Sequence, residues 1–316
     1  MRRILACLPL LGLASLAQSP APRPYFNLHQ LAPGVFAAID APHSPAGSNA
    51  GFIIGSNGVA VVDTFENVDA AQALLAAIRA KTSLPIRFVI NTHYHLDHVT
   101  GNQVFSAAGA AIIAQRNVHA WIHRDNFKFF GPHPTPAQRA RVEAYRAPDL
   151  GYNGNVTIWL GTRVVDIRTL QGHTGGDSQV LVPDANVVFT GDLFWNHLLP
   201  NLVDATTPTL LASLAALEHW PPHPATAAYV PGHGELGTRA DLTTFRQYLV
   251  TLRRDIAQAH ARGARAPGLE TAVLAELKPQ YGAWADFAHF APLNIQQTAA
   301  ELAGHKLVPR PGAAHP

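Results

Sequence analysis

Sulfur is nearly absent from this chain: its 316 residues hold one cysteine and one methionine. Cys7 sits inside the apolar stretch from Ile4 to Leu16, so the remainder carries no thiol. That excludes structural disulfides, and it means that any metal site must use nitrogen and oxygen donors. Charge is also sparse, at 14% Asp, Glu, Lys and Arg, with a formal net charge of +2. Without Arg2 and Arg3, 21 basic and 21 acidic residues remain. Such a balance points to neither a nucleic-acid partner nor an anionic membrane surface. What the chain has in quantity is apolar residues, 47% of the total, enough for a sizeable core.

The first residues read as an export signal. Arg2 and Arg3 form a basic start, Ile4 to Leu16 an apolar centre, and Ser15-Leu16-Ala17 a small-residue cleavage box. Cleavage is expected after Ala17, making residues 1–17 a signal peptide and the mature protein periplasmic or secreted. The apolar run is shorter than the roughly 20 residues that span a bilayer, so no membrane anchor is expected after processing. Cys7 lies within the run and not behind the cleavage box, which argues against a lipoprotein. Residues 18–33, rich in proline and polar groups, read as a linker.

Beyond the linker, strands are expected at Val35 to Ile39, Gly51 to Ile54, Val59 to Asp63, Ile86 to Asn91 and Ala111 to Ala114. A helix from Val68 to Ala80 would bury Val68, Ala71, Leu75 and Ile78, and Gly101 to Ala108 looks helical. Further strands are read at Val164 to Leu170, Asn186 to Thr190 and Ala227 to Val230. Thr207-Pro208 reads as the cap and first position of a helix running to His219. Leu242, Phe245, Leu249, Leu252 and Ile256 step by three and four. That stripe either packs onto the rest of the chain or forms a dimer seam, so oligomeric state stays open.

The chemistry is concentrated at strand ends. Thr92-His93-Tyr94-His95-Leu96-Asp97-His98 follows one expected strand. Gly172-His173-Thr174, Thr190-Gly191-Asp192 and Pro231-Gly232-His233-Gly234 follow three others. In open α/β sheets, ligand sites lie beyond the carboxyl ends of strands. His93 and His95, two apart on an extended turn, point the same way, with Asp97 and His98 on the following bend. Five imidazoles and two carboxylates suffice for two divalent cations. Kept for structure alone, such a cluster would need many hydrogen bonds.

These motifs, with Val59-Ala60-Val61-Val62-Asp63-Thr64, resemble those of the metallo-β-lactamase superfamily from about Gly34 to Arg239. The resemblance implies a four-layer αββα sandwich over 34–239, with residues 240–316 as a C-terminal helical segment packed on it. It implies a first metal held by His93, His95 and His173, a second held by Asp97, His98 and His233, and Asp192 bridging them. Asp63 would support the site by hydrogen bonding and not as a ligand. Some features depart from particular subfamilies. No cysteine lies near a motif, which excludes the cysteine-ligated lactamases, and Asp192 is foreign to the all-histidine lactamases. Glyoxalase II resembles the chain in its ligand set, but Asp177 stands where that enzyme would have histidine, and its basic glutathione-binding cluster is not evident.

The expected function is therefore hydrolysis of a small carbonyl substrate (a lactam, lactone, ester or thioester) by a dinuclear site, most simply of zinc. Two cations about 3.5–4 Å apart can share a water and lower its pKa to about 7, supplying a hydroxide nucleophile. Asp97 is the expected catalytic carboxylate, orienting that nucleophile or relaying its proton. The alternatives are a β-lactamase proper, an iron-dependent persulfide dioxygenase-like oxidoreductase, and a non-catalytic periplasmic metal-binding module. Manganese, iron or cobalt would also suit the donors. Two stretches bear on the substrate pocket. Residues 121–155, with Trp121, Phe127, Phe129, Phe130, Tyr145 and Tyr152, read as a lid or as a packed excursion. Residues 194–204 place Trp195 and His197 near the site, as substrate contacts, as core packing or as a surface turn.

Overall fold

The computed structural model describes residues 24–265 and 268–310. The expected signal peptide and the proline-rich start of the expected linker lie outside the described residues. Two sheets stack face to face. The first has seven strands in the spatial order β1 (Phe26–Ala32), β2 (Val35–Asp40), β3 (Ala50–Ile54), β4 (Val59–Val62), β5 (Ile86–Asn91), β6 (Ala111–Gln115) and β7 (Leu150–Tyr152). It is antiparallel from β1 to β4 and parallel from β4 to β7. The second has five: β12 (Ala228–Gly234), β11 (Val187–Asn196), β10 (Gln179–Val182), β9 (Arg163–Arg168) and β8 (Val156–Leu160). Only β11 and β12 run parallel there.

Alternation along the strands divides the core. Val35, Ala37, Ile39, Ala60, Val62 and Ile90 face Val165, Ile167, Val180, Val187 and Phe189 between the sheets. The opposite faces of the first sheet, through Phe36, Phe52, Val59 and Val61, receive helices α1 (Val68–Lys81) and α3 (Asn102–Ala107). A short α2 (Leu96–Val99) precedes α3. Leu181, Val188, Leu193 and Phe194 of the second sheet are covered by α6 (Thr207–Leu217), α7 (Arg239–Ala261), α8 (Gly268–Tyr281) and α9 (Phe287–Leu302). The result is the expected αββα layering.

Several details differ from the sequence reading. Residues 26–32, expected within the 18–33 linker, form the edge strand β1. It pairs only with β2 and is half-exposed along its length, so it has no apolar alternation to announce it. The buried face of α1 is Ala70, Ala71, Leu74 and Ile78, so Ala71 and Ile78 are buried as expected, while the expected Val68 and Leu75 are half-buried. The helix at Pro208 is capped at Thr206, one residue earlier, and ends at Leu217. The 121–155 stretch is mostly ordered structure. Its elements are α4 (Arg116–Arg124), a 3₁₀ turn over Asn126–Phe130, α5 (Pro136–Glu143) and β7. The α7 stripe Leu242, Phe245, Leu249, Leu252 and Ile256 is buried inside the chain and leaves nothing for a dimer seam.

Candidate metal centre

Two connections and two strands at one rim of the sandwich bring the donors together. After β5, the chain runs extended through His95, which precedes α2, and α2 then presents Asp97 and His98. His173 lies on the turn between β9 and β10, while Asp192 and His233 lie within β11 and β12. All seven predicted ligand residues meet. His93, His95, His173 and Asp192 form one group, and Asp97, His98, Asp192 and His233 a second. Within each group, one donor atom from every residue lies within 4.8 Å of the others.

Close spacing is the first test of fit. Asp192 stands 3.3 Å from both His173 Nε2 and His233 Nε2, and 3.0 Å from His98 Nε2. Asp97 lies 3.2 Å from His233 Nε2 and 3.4 Å from His98 Nε2. Tetrahedral zinc, with ligands at about 2.0–2.1 Å, sets neighbouring donors roughly 3.3 Å apart. Hydrogen bonding is the second test. His93 Nε2, His98 Nε2, His233 Nε2 and Asp192 Oδ1 are buried and make no hydrogen bond. Each such atom costs on the order of 1–3 kcal/mol, a cost that a cation removes. The donor set fits divalent metal.

The electrostatics sort the imidazoles. Burial pushes the His173 pKa down to about 3 and that of His93 well below its usual value, so both are neutral and free to donate a lone pair. Burial also opposes charge on His233, but Asp192 and Asp97 overcome it and raise its pKa to about 9. Burial likewise works against charged Asp97 and Asp192, yet the surrounding imidazoles hold both carboxyls well below the usual range.

Two carboxylates behind the donors set which ring nitrogen is free. Asp63, in the left-handed region at φ 56°, accepts from Thr92 N at 2.8 Å and Thr92 Oγ1 at 2.7 Å. It also accepts from His98 Nδ1 at 2.8 Å, leaving Nε2 to the site. This is the supporting role expected of Asp63. Asp204 does the same for His95, at 2.8 Å from Nε2, so that Nδ1 faces His173 Nε2 at 3.0 Å. Asp204 also accepts from Tyr94 Oη at 2.5 Å and from Lys128 Nζ at 2.5 and 2.6 Å. Against its burial, His95 and Lys128 hold its carboxyl far below the ordinary range.

Backbone fit is equally tight. Gly191 has φ 51°, and a Cβ there would lie 2.6 Å from Thr92. A Cβ on Gly232 would meet Asp192 Oδ1 at 1.9 Å. Asp177 accepts from the amides of Gly172, His173 and Thr174 at 2.8 to 3.0 Å, fixing the turn that presents His173. Burial raises its pKa to about 7 against those donors. Asn49 Nδ2 donates to the carbonyls of Pro231 and Gly234, tying β12 to the first sheet beside His233.

Facing the donors is a cleft of about 390 Å³ lined by Glu66, Phe129, Phe130, Trp195, Asn201, Asp286 and Phe290. Trp195 stacks on His233 with ring centres 3.8 Å apart, and Phe129 meets His95 edge-on at 4.9 Å. The 121–155 stretch thus serves both expected readings. Phe129 and Phe130 wall the cleft, while Trp121, Tyr145 and Tyr152 are buried in the core. His197 turns outward, its side chain 61% exposed and 3.6 Å from Asp241, which is the surface-turn reading of that residue. Asp204, Lys128 and Asn49 were not legible in the sequence. The only signal for Asp204 is an acid set in the apolar run Leu198-Leu199-Pro200-Asn201-Leu202-Val203.

Comparison with known proteins agrees with this picture. The family model of the metallo-beta-lactamase superfamily matches residues 43–241. Hydroxyacylglutathione hydrolases of Brucella ovis and Brucella abortus are 29% identical over 170 residues, 54% of this chain and 56% of theirs. The chain therefore spans about half the length of the curated relatives it matches. A solved metallo-beta-lactamase from Pontibacter korlensis superposes with a TM-score of 0.59 at 18% identity. The overlap covers 71% of this chain and 99% of that one, a likeness of fold.

Proposed function

The chain belongs to the metallo-beta-lactamase superfamily, and on that footing we propose that it is a metal-dependent hydrolase of small carbonyl compounds, working with two divalent cations, zinc foremost. The observation that carries the reading is Asp192, which belongs to both donor groups. His93, His95 and His173 would hold one cation, and Asp97, His98 and His233 the other. Cations so held supply an activated water and a Lewis acid for the carbonyl oxygen.

The chain's own groups do the rest. Asp97 is one of the least buried donors, its side chain 20% exposed toward the cleft, where its carboxylate can accept a hydrogen bond from the attacking water and orient it. Asp63 and Asp204 keep His98 and His95 in the tautomers that face the site. Phe129 and Trp195 keep bulk water from the donors at either end. The Brucella relatives, named for hydroxyacylglutathione hydrolysis, make a thioester one substrate type to test.

Elemental analysis paired with a turnover screen over lactams, lactones, esters and thioesters tests the reading. We expect two equivalents of metal and turnover of at least one class. Asp97→Ala should retain about one equivalent and lose on the order of 100-fold in kcat. Protein that takes up no transition metal under any loading, or Asp97→Ala protein with full metal and full turnover, contradicts it. We further infer export directed by residues 1–17, on the charged, apolar and small-residue pattern there. Cell fractionation with N-terminal sequencing checks this, and an intact N-terminus in the cytosol would overturn it. Among the described residues, no helix is long and apolar enough to cross a membrane.

A further inference from the structure

The walls of the cleft are aromatic, and the charged side chains on them, outside the donors, are acidic. Phe129 borders the His95 group, Trp195 the His233 group, and Phe290 meets Trp195 edge-on with ring centres 5.9 Å apart. Apart from the donors, the charged side chains on the lining are Glu66 and Asp286. Among the described residues no lysine or arginine lines it. The nearby cations are committed elsewhere. Arg141, outside the lining, pairs with Glu66 at 3.1 Å. Lys128 gives its ammonium to both oxygens of Asp204 and to Tyr94 Oη. Asp286 is exposed at the start of α9 and makes no capping bond there.

We propose that this cleft selects an uncharged carbonyl compound with an aromatic group beside the scissile bond, and disfavours anionic ones, glutathione thioesters included. The proposal rests on the hydrolase reading. Its physical basis is twofold. Flat rings gain from offset and edge contacts with Phe129, Trp195 and Phe290. Glutathione carries two carboxylates and one ammonium; with the acyl group at the donors, its peptide would lie along the walls, where Glu66 and Asp286 face its carboxylates and no lysine or arginine on the lining pairs with them. The chemistry in either case is addition of water to the acyl carbon and cleavage of the carbon–sulfur bond. The products are a carboxylic acid and a thiol.

Two thioesters with the same acyl group separate the possibilities: S-benzyl thioacetate, which is neutral, and S-acetylglutathione. With metal-loaded full-length protein, we expect kcat/KM for the benzyl compound to exceed that for the glutathione compound by about 100-fold. Phe290→Ala should narrow the ratio about tenfold, mainly by raising KM for the benzyl compound. Asp286→Asn, which removes the charge and keeps a residue suited to the left-handed φ of 59° at the start of α9, should narrow it by favouring S-acetylglutathione. Equal turnover, or preference for S-acetylglutathione, overturns the proposal and leaves the hydrolase reading standing. Binding of the matched unreactive ketones benzylthioacetone and S-acetonylglutathione, followed by tryptophan fluorescence, covers protein that turns over neither thioester. Tighter binding of benzylthioacetone then supports the selectivity while the hydrolase reading fails. Equal or reversed affinity overturns the selectivity as well.

Discussion

Asp204 stands to His95 as Asp63 stands to His98: a buried carboxylate takes one ring N–H and turns the other nitrogen toward the site. Only Asp63 sits in a motif, whereas Asp204 is reached through Tyr94 and Lys128. Loss of such a partner typically weakens metal binding about 10–100-fold. Asp204→Ala should therefore release metal to a competing chelator at correspondingly lower concentration, with the loss concentrated in the His93, His95 and His173 group. Lys128→Met, which leaves the Asp204–His95 bond in place, should show a smaller effect. Unchanged chelator competition in Asp204→Ala protein would mean that His95 is oriented without it.

Elements differ in how plainly they announce themselves. α7 was readable because one-sided burial imposes a period, and β5 because burial on both faces makes it a short apolar run. Leu242, Phe245, Leu249, Leu252 and Ile256 are each no more than 1% exposed. Phe245 packs against Phe194 at 5.7 Å between ring centres, so Phe245→Ala should cost about 3–5 kcal/mol in urea unfolding. A cost below 1 kcal/mol would mean that α7 is docked loosely. β11 was readable only to Thr190, because the irregular pairing around Gly191 interrupts its pattern just where Asp192 is presented. β1 escaped notice because an edge strand buries too little to alternate. The seven donors were legible because metal chemistry restricts residue type. Asn49, Lys128 and Asp204 were not, because their partners are distant in sequence and their residue types are common on surfaces.

At the scale of the molecule, the C-terminal helices close over the loop that carries Asp204. Lys306, just beyond α9, donates to the carbonyls of Leu202 and Ala205 at 2.6 Å each. Burial lowers its pKa from 10.5 to about 8. Below pH 8 both folded and unfolded chains carry the proton, and the folded state bears the burial cost. Between about pH 8 and 10.5 only the unfolded chain still holds it, so this group makes stability rise with pH, by at most about 3 kcal/mol. Urea unfolding at pH 7.5 and pH 10 should show that rise for the native chain relative to Lys306→Met. A difference between the two proteins that is flat with pH would contradict it.

The donors are also drawn from both sheets: His93, His95, Asp97 and His98 follow the first, while His173, Asp192 and His233 belong to the second. Each donor group contains members of both, so each ion would rivet one half of the sandwich to the other, across a chain separation that reaches from His93 to His233. Chelation would then do more than silence the enzyme. It would loosen the seam along that rim, and the metal-free protein would melt at a lower temperature than the loaded one.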